Sequence, residues 1–337
     1  MNDKRIAVGL VGCGGAGRGI HMPRFVKHKD LFRVTCCADT VPAASAAFAR
    51  DFGLRALESV DRLIADNDVE LVIVATRPPA THRDVALQAL QAGKHVVVEK
   101  PMADNEAQCG EMVAAAASAR RVLAVHHNRR WDVDFLTARH IVESGAVGQV
   151  RLVRNEYATG YSGSPYDWGI HLIDQTMALS RGKRFVEISA TFCKPDTKKP
   201  TESEGFFTAH LRTEDGVIHD VSMLPTMDGN AFRPGKMAYR FMIAGTEGIA
   251  YQEWCQRPED AFLKPAFMQA AKPGRALGDL PFVSADLAIP DFYQSLYAAI
   301  RDGGTVPVSG SEGRRAVQAW ELICRSACEN KTLSIAL

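Results

Sequence analysis

Ile6-Ala-Val-Gly-Leu-Val-Gly-Cys-Gly-Gly-Ala-Gly17 is the stretch on which the fold turns. Ile6 to Val11 form a short continuous apolar run that stops at glycine, the pattern of a buried strand. Gly12, Gly14 and Gly17 follow in the spacing G-x-G-x-x-G, ahead of a segment that can be helical. In a dinucleotide site each glycine has a task. Gly12 permits the tight strand-to-helix turn, Gly14 lets the backbone approach a pyrophosphate, and Gly17 lets helix and strand pack closely. Phosphates would meet the free N–H groups and positive dipole end of the helix. Without that context the same run would be a glycine-rich turn with no ligand.

Working outward, the first helix is expected over about 16–27 and a second strand over Phe32–Ala38, ending at Asp39. An acid at that offset can accept hydrogen bonds from the adenosine ribose hydroxyls and repels a 2′-phosphate, which favours NAD over NADP. Asp39 could instead cap the helix that starts near Pro42. Val69–Ala75, Lys94–Val98 and Val122–His126 read as further buried strands, separated by helices over 43–50, 81–92 and 105–119. Apolar strands alternating with helices predict an α/β fold, a Rossmann doubly wound parallel sheet, over residues 1–126. The rhythm then changes. A helix over 133–144 precedes strands at 148–155, 185–192, 205–213, 217–224 and 239–244, with Asp215-Gly216 as a hairpin turn. Residues 127–337 are therefore expected to form a second domain with an open, mainly antiparallel sheet, closed by helices over 291–301 and 312–329. Residues 255–285 carry prolines and little periodicity, and read as a surface excursion.

At 337 residues two domains are the default. A net charge of +1 argues against nucleic acid as a partner. No apolar stretch spans a membrane and no cleavable leader precedes the first strand, so a cytoplasmic protein without membrane association is expected. The eight cysteines include no Cys-x-x-Cys pair, which argues against zinc and thioredoxin chemistry. His126-His127 is a poor chelate, because adjacent strand residues point to opposite faces. No metal is expected.

Three stretches go beyond what a core needs. Glu99-Lys100-Pro101 ends a parallel strand, where open α/β sheets bind ligands. Asp167-Trp-Gly-Ile-His171 sets a carboxylate and an imidazole at i and i+4 on one helix face, with Asp174 following one turn later. Asn128-Arg129-Arg130 opens the second domain. Taken alone, Lys100 could be a surface lysine and Asp167–His171 a helical side-chain pair. Beside a dinucleotide site they gain meaning, since hydride transfer needs a proton acceptor near the nicotinamide.

These residues carry a specific resemblance. The Gly12–Gly17 fingerprint, Glu99-Lys100-Pro101 and Asp167-x-Gly-x-His171-x-x-Asp174 resemble the glucose-fructose oxidoreductase/inositol dehydrogenase (Gfo/Idh/MocA) family across essentially the whole chain. The resemblance implies oxidation of a secondary hydroxyl of a sugar, cyclitol or related polyol, or the reverse reduction, and a homodimer or homotetramer. It implies that Lys100 is the catalytic lysine, Asp167 its acidic partner and His171 the general base. The implied cofactor set is Gly12, Gly14, Gly15, Ala16, Gly17 and Asp39, with Thr76, Arg77, Pro78, His82, Glu99 and Lys100. The implied substrate set is Lys100, Asn128, Arg130, Trp168, His171 and Asp174, with Tyr157 and Tyr161 as further pocket candidates. Two departures stand out. Ser162-Gly-Ser-Pro-Tyr166 replaces the usual glycine-rich run. Arg77-Pro78-Pro79 stands where Thr-Pro-Asn is common, which makes Arg77 a candidate phosphate or substrate ligand. Two other functions remain: a glycoside-cleaving enzyme that uses NAD transiently, and a non-catalytic NAD-binding sensor.

Overall fold

The computed structural model describes residues 4–159, 165–194, 204–225, 238–252, 267–268 and 289–337. The chain divides into two compact units. The first runs to His127 and regains Pro290–Val317; the second comprises Asn128–Ile289 and Gln318–Leu337.

In the first unit six strands form one parallel sheet: β1 (Ile6–Val11), β2 (Phe32–Ala38), β3 (Arg55–Ala56), β4 (Leu71–Val74), β5 (His95–Val98) and β6 (Leu123–Val125). Their order is β3-β2-β1-β4-β5-β6, the doubly wound arrangement with its reversal beside β1. Every residue of β1, β4 and β6 is buried, as expected for strands covered on both faces. A π-helical turn, Gly17–His21, runs into α1 (Met22–Lys27). The other helices are α2 (Pro42–Phe52), α3 (Val60–Ile64), α4 (His82–Gln91) and α5 (Glu106–Ala119). Gly53 stops α2 in the left-handed conformation, and the Asn105 side chain caps α5 by accepting from Gln108 N–H.

The second unit holds α6 (Val133–Ser144), α7 (Pro165–Leu179) and an eight-stranded mixed sheet. Its strands are β7 (Val150–Thr159), β8 (Phe185–Lys194), β9 (Glu204–Thr213), β10 (Ile218–Pro225), β11 (Ala238–Gly245), β12 (Ile249–Gln252), β13 (Phe267–Met268) and β14 (Leu333–Ser334). Among the described strands, only the β7–β10 pairing is parallel. Phe135, Ile141, Val153, Phe241 and Ile243 form one core beneath it. Trp320 is wholly buried against Phe207 and Tyr166. Gly169 is what lets α7 lie so close to the sheet: a β-carbon there would stand 2.7 Å from the Phe207 ring.

The units are not the two contiguous stretches expected from sequence. The chain passes to the second at Asn128 rather than 127, and residues 290–317 return to the first. They carry α8 (Phe292–Arg301) and the start of α9 (Gly310–Glu329). Arg301 bonds both oxygens of Glu70 and reaches the carbonyls of Lys4 and Arg5, while Val125 N–H donates to Val308. Such contacts are invisible to a reading of periodicity. Of the 255–285 excursion only Phe267–Met268 is described, as β13; the rest lies outside the described residues, as do Tyr161 and Ser162–Ser164.

Candidate active site

β1 ends where Gly12 takes φ +98°, and its position leaves no room for a side chain, since a β-carbon would stand 2.5 Å from the Ala75 carbonyl oxygen. Gly17 is equally constrained, at 2.4 Å from the Gly12 carbonyl oxygen. Gly14 and Gly15 differ. Among the described residues, their own chain neighbours aside, no atom lies within 4 Å of where their β-carbons would be, so the packing there does not require glycine. Bare backbone facing open space ahead of a helix is what a diphosphate needs. The residues therefore fit a dinucleotide, with Ala16 at the helix boundary.

Asp39 leaves β2 and secures this turn. One carboxylate oxygen accepts from Cys13 N–H at 2.8 Å and the other from Val41 N–H at 2.9 Å. The cap reading does not hold: Val41 is the N-cap of α2 and no side chain caps it, so the Asp39 bond to Val41 only steadies the approach to the helix. Each oxygen keeps a further lone pair for a ribose hydroxyl.

β4 and β5 end on the same edge as β1, because all three are parallel. After β4, Thr76 and Thr81 share a hydroxyl hydrogen bond of 2.6 Å, and Arg77 and Pro78 are exposed. His82 is buried; its Nε2 lies 2.9 Å from the Thr76 carbonyl oxygen and its Nδ1 3.0 Å from that of Pro101. Its ring thus ties two loops together from inside. After β5, Lys100 is half-buried, while Glu99 points inward. Glu99 Oε1 accepts from His126 Nδ1 at 2.8 Å, and His21 Nε2 lies 3.0 Å from the same oxygen. Glu99 Oε2 accepts from Lys100 N–H at 3.1 Å. Tyr293 on α8 places its hydroxyl 2.9 Å from His21 Nδ1. Burial alone would raise the Glu99 carboxyl, but the neighbouring His126 and the bonds from both imidazoles hold it well below the usual carboxylate range. Burial pushes His21 down, and Tyr293 well up.

His126 therefore works with His21 and Glu99 rather than with its neighbour His127. Two imidazoles and a carboxylate converge, a donor set that could hold a divalent ion. Sequence reasoning missed this cluster, since its members are scattered over more than a hundred residues.

In the second unit, Asp167 and His171 lie one turn apart on α7, as expected, and His171 is buried. Trp168 stacks on Tyr157 at 5.4 Å between ring centres and stands 5.7 Å from the His171 ring. The Arg129 guanidinium lies over the Trp168 ring, 5.6 Å from its centre. Asn128 opens the turn that carries Arg130. Arg130 and Asp174, both expected to face substrate, bind one another through two hydrogen bonds. Gln175 holds the same turn by donating to the Arg129 carbonyl at 3.0 Å.

Comparison with known proteins agrees with this geometry. Residues 6–127 match the Gfo/Idh/MocA oxidoreductase family, NAD-binding Rossmann fold, and residues 135–251 match the C-terminal domain of the same family. The chain is 29% identical to the uncharacterized oxidoreductase YdgJ of Escherichia coli, over 100% of both chains. It is 27% identical to the scyllo-inositol 2-dehydrogenase (NADP(+)) IolW of Bacillus subtilis, over 98% of this chain and 96% of the relative. The aldose-aldose oxidoreductase of Caulobacter crescentus, solved with glycerol, shares the fold with a TM-score of 0.81 at 24% identity, over 98% of this chain and 100% of that one.

Proposed function

Because the chain belongs to the Gfo/Idh/MocA oxidoreductase family, we propose that it is an NAD-dependent dehydrogenase. Its substrate would be a secondary hydroxyl, or the corresponding ketone, of a sugar, cyclitol or related polyol. The observation that carries the reading is the pair Gly14 and Gly15, bare backbone that the fold does not need, beside the Asp39 carboxylate.

Gly14, Gly15 and the following helix would hold the diphosphate, and Asp39 the adenosine ribose. A 2′-phosphate there would meet a fixed negative charge, which supports NAD even though IolW is named for NADP(+). Bound in this way, the nicotinamide supplies the hydride acceptor. Lys100, at the edge where β1, β4 and β5 end, would donate to the substrate oxygen and steady the developing alkoxide. His171 would take the hydroxyl proton, with Asp167 one turn earlier favouring its charged form. Asp174 is committed to Arg130 and would act by fixing that guanidinium. A homodimer or homotetramer, on the family resemblance alone, and a cytoplasmic location, on the sequence pattern alone, complete the reading.

The test is a screen of sugars and polyols with NAD and with NADP, followed by the reduced nicotinamide. A substrate found there should lose roughly 10²–10⁴-fold in turnover on His171→Ala, with NAD affinity retained. Near-normal turnover in that variant would remove His171 from its role. Tightly held NAD, release of an aglycone and no net NADH would favour the glycoside-cleaving alternative instead.

A further inference from the structure

Lys100 stands between two residues that the first unit grips from elsewhere. On one side is Glu99, whose buried carboxylate gathers His21, His126 and the Lys100 N–H. On the other is Pro101, whose carbonyl meets His82. We propose that Glu99, clamped by His21 and His126 and backed by Tyr293, is a positioning residue that fixes the Lys100 backbone for reaction. The proposal rests on the reading of Lys100 as catalytic.

A buried carboxylate is an expensive way to fill space. Apolar side chains of similar volume would serve stability as well or better, so a charge retained inside calls for a further reason. Here the charge is fully answered. Oε1 faces two ring nitrogens, and Oε2 takes the peptide N–H of the next residue. His21 Nε2 lies 3.0 Å from Glu99 Oε1, and on the other side of the ring the Tyr293 hydroxyl shares a 2.9 Å hydrogen bond with Nδ1. His21 follows the glycine turn, Glu99 follows β5, His126 follows β6, and Tyr293 lies on α8. Two separate elements thus bring imidazoles to one carboxylate, and a third backs one of them through Tyr293. Turning the Glu99–Lys100 peptide would break the Oε2 bond and disturb the rest.

The test compares His126→Phe, Glu99→Gln and the conservative His126→Asn, which can keep an N–H donor toward Glu99, in the full chain. Two readouts are needed. The first is independent of turnover: lysines are reductively methylated with 13C, and the Lys100 resonance is assigned by its loss in Lys100→Arg. A single Lys100 signal in the native protein should shift or split in His126→Phe and Glu99→Gln and be restored in His126→Asn. The second uses the substrate found in the screen. Turnover should fall about 10- to 100-fold in His126→Phe, the scale of a misplacement of about 1 Å, with NAD affinity changed less than about twofold and His126→Asn recovering most of the loss. An unaltered Lys100 resonance in two folded variants overturns the proposal, as does one zinc per chain in the purified protein. If no sugar or polyol is turned over, the dehydrogenase reading fails, and the resonance alone still decides whether the cluster positions Lys100.

Discussion

Arg130 Nε and Nη2 donate to the two oxygens of Asp174 at 2.8 and 2.6 Å, and the Asp174 side chain is 1% exposed. Such a planar, bidentate pair is geometrically demanding, and lysine cannot reproduce it. Removing one partner leaves the other charge stranded in the interior. Asp174→Ala should therefore cost about 3–5 kcal/mol, whereas replacing both residues by apolar ones should recover much of that loss. Urea unfolding of both single variants and the double variant measures it. Losses that simply add in the double variant would mean that the two residues do not act as a pair.

The glycines of the nucleotide turn separate into two kinds, and substitution should tell them apart. Gly12→Ala forces a left-handed residue against the Ala75 carbonyl and should destabilise the first unit by more than about 1–3 kcal/mol. Gly14→Ala meets nothing inside the protein, so its stability should stay within about 0.5 kcal/mol of native. Its NAD affinity should nevertheless fall tenfold or more, about 1.4 kcal/mol, because the methyl group would occupy the diphosphate's space. Thermal melts and titration with NADH give the two numbers. Full affinity in Gly14→Ala would move the cofactor elsewhere.

Asp39 has two duties, one to the backbone and one to coenzyme choice. Asp39→Ser keeps an oxygen for the Val41 N–H while removing the negative charge. The ratio of kcat/KM for NADP to that for NAD should rise about tenfold or more, mostly through the loss of repulsion toward a 2′-phosphate. Steady-state kinetics with both coenzymes on one substrate decides this. An unchanged ratio would mean that Asp39 serves only the turn.

The first unit was largely legible because its information is local. Phe32–Ala38 is a strand as expected, and Val133–Ser144 likewise opens the second unit as a helix. A one-residue apolar period inside a parallel sheet and glycine spacing at its first turn are both sequence-adjacent signals. The site was legible only in pieces. Glu99 was expected at the cofactor but faces inward, because two histidines from distant elements claim its carboxylate. Arg130 and Asp174 were separately expected at the substrate and instead satisfy one another across 44 residues of chain. The return of Pro290–Val317 to the first unit depends on Arg301 meeting Glu70, which no local pattern encodes. Long-range pairing of polar groups is decided by the fold, not by the segments that supply them.

Two histidines, His95 half-buried and His219 buried, give the protein an acid limit with a definite sign. Burial and the nearby Arg121 hold His95 down to about 4, and its Nδ1 accepts from Val122 N–H at 3.0 Å, a bond that only the neutral ring can make. Burial holds His219 down to about 4 as well, where it packs edge-on against Phe185. In the unfolded chain both titrate near 6.5. Between about pH 6.5 and 4 the unfolded state therefore binds more protons, so stability is full above 6.5 and is lost as pH falls through that window. The buried carboxylates with lowered values, Glu99 among them, add their own loss only below about 4.5. The interval from pH 7.5 to 5 thus isolates the histidines, with His21, also lowered by its burial, contributing in the first unit alongside His95. His95→Gln retains an acceptor without the titration, and His219→Phe keeps the packing. Since the two sit in different units, each substitution should flatten the pH dependence of its own unit's unfolding, followed by urea titration at the two pH values. A double variant that loses as much stability at pH 5 as the native chain would show that other groups set the limit.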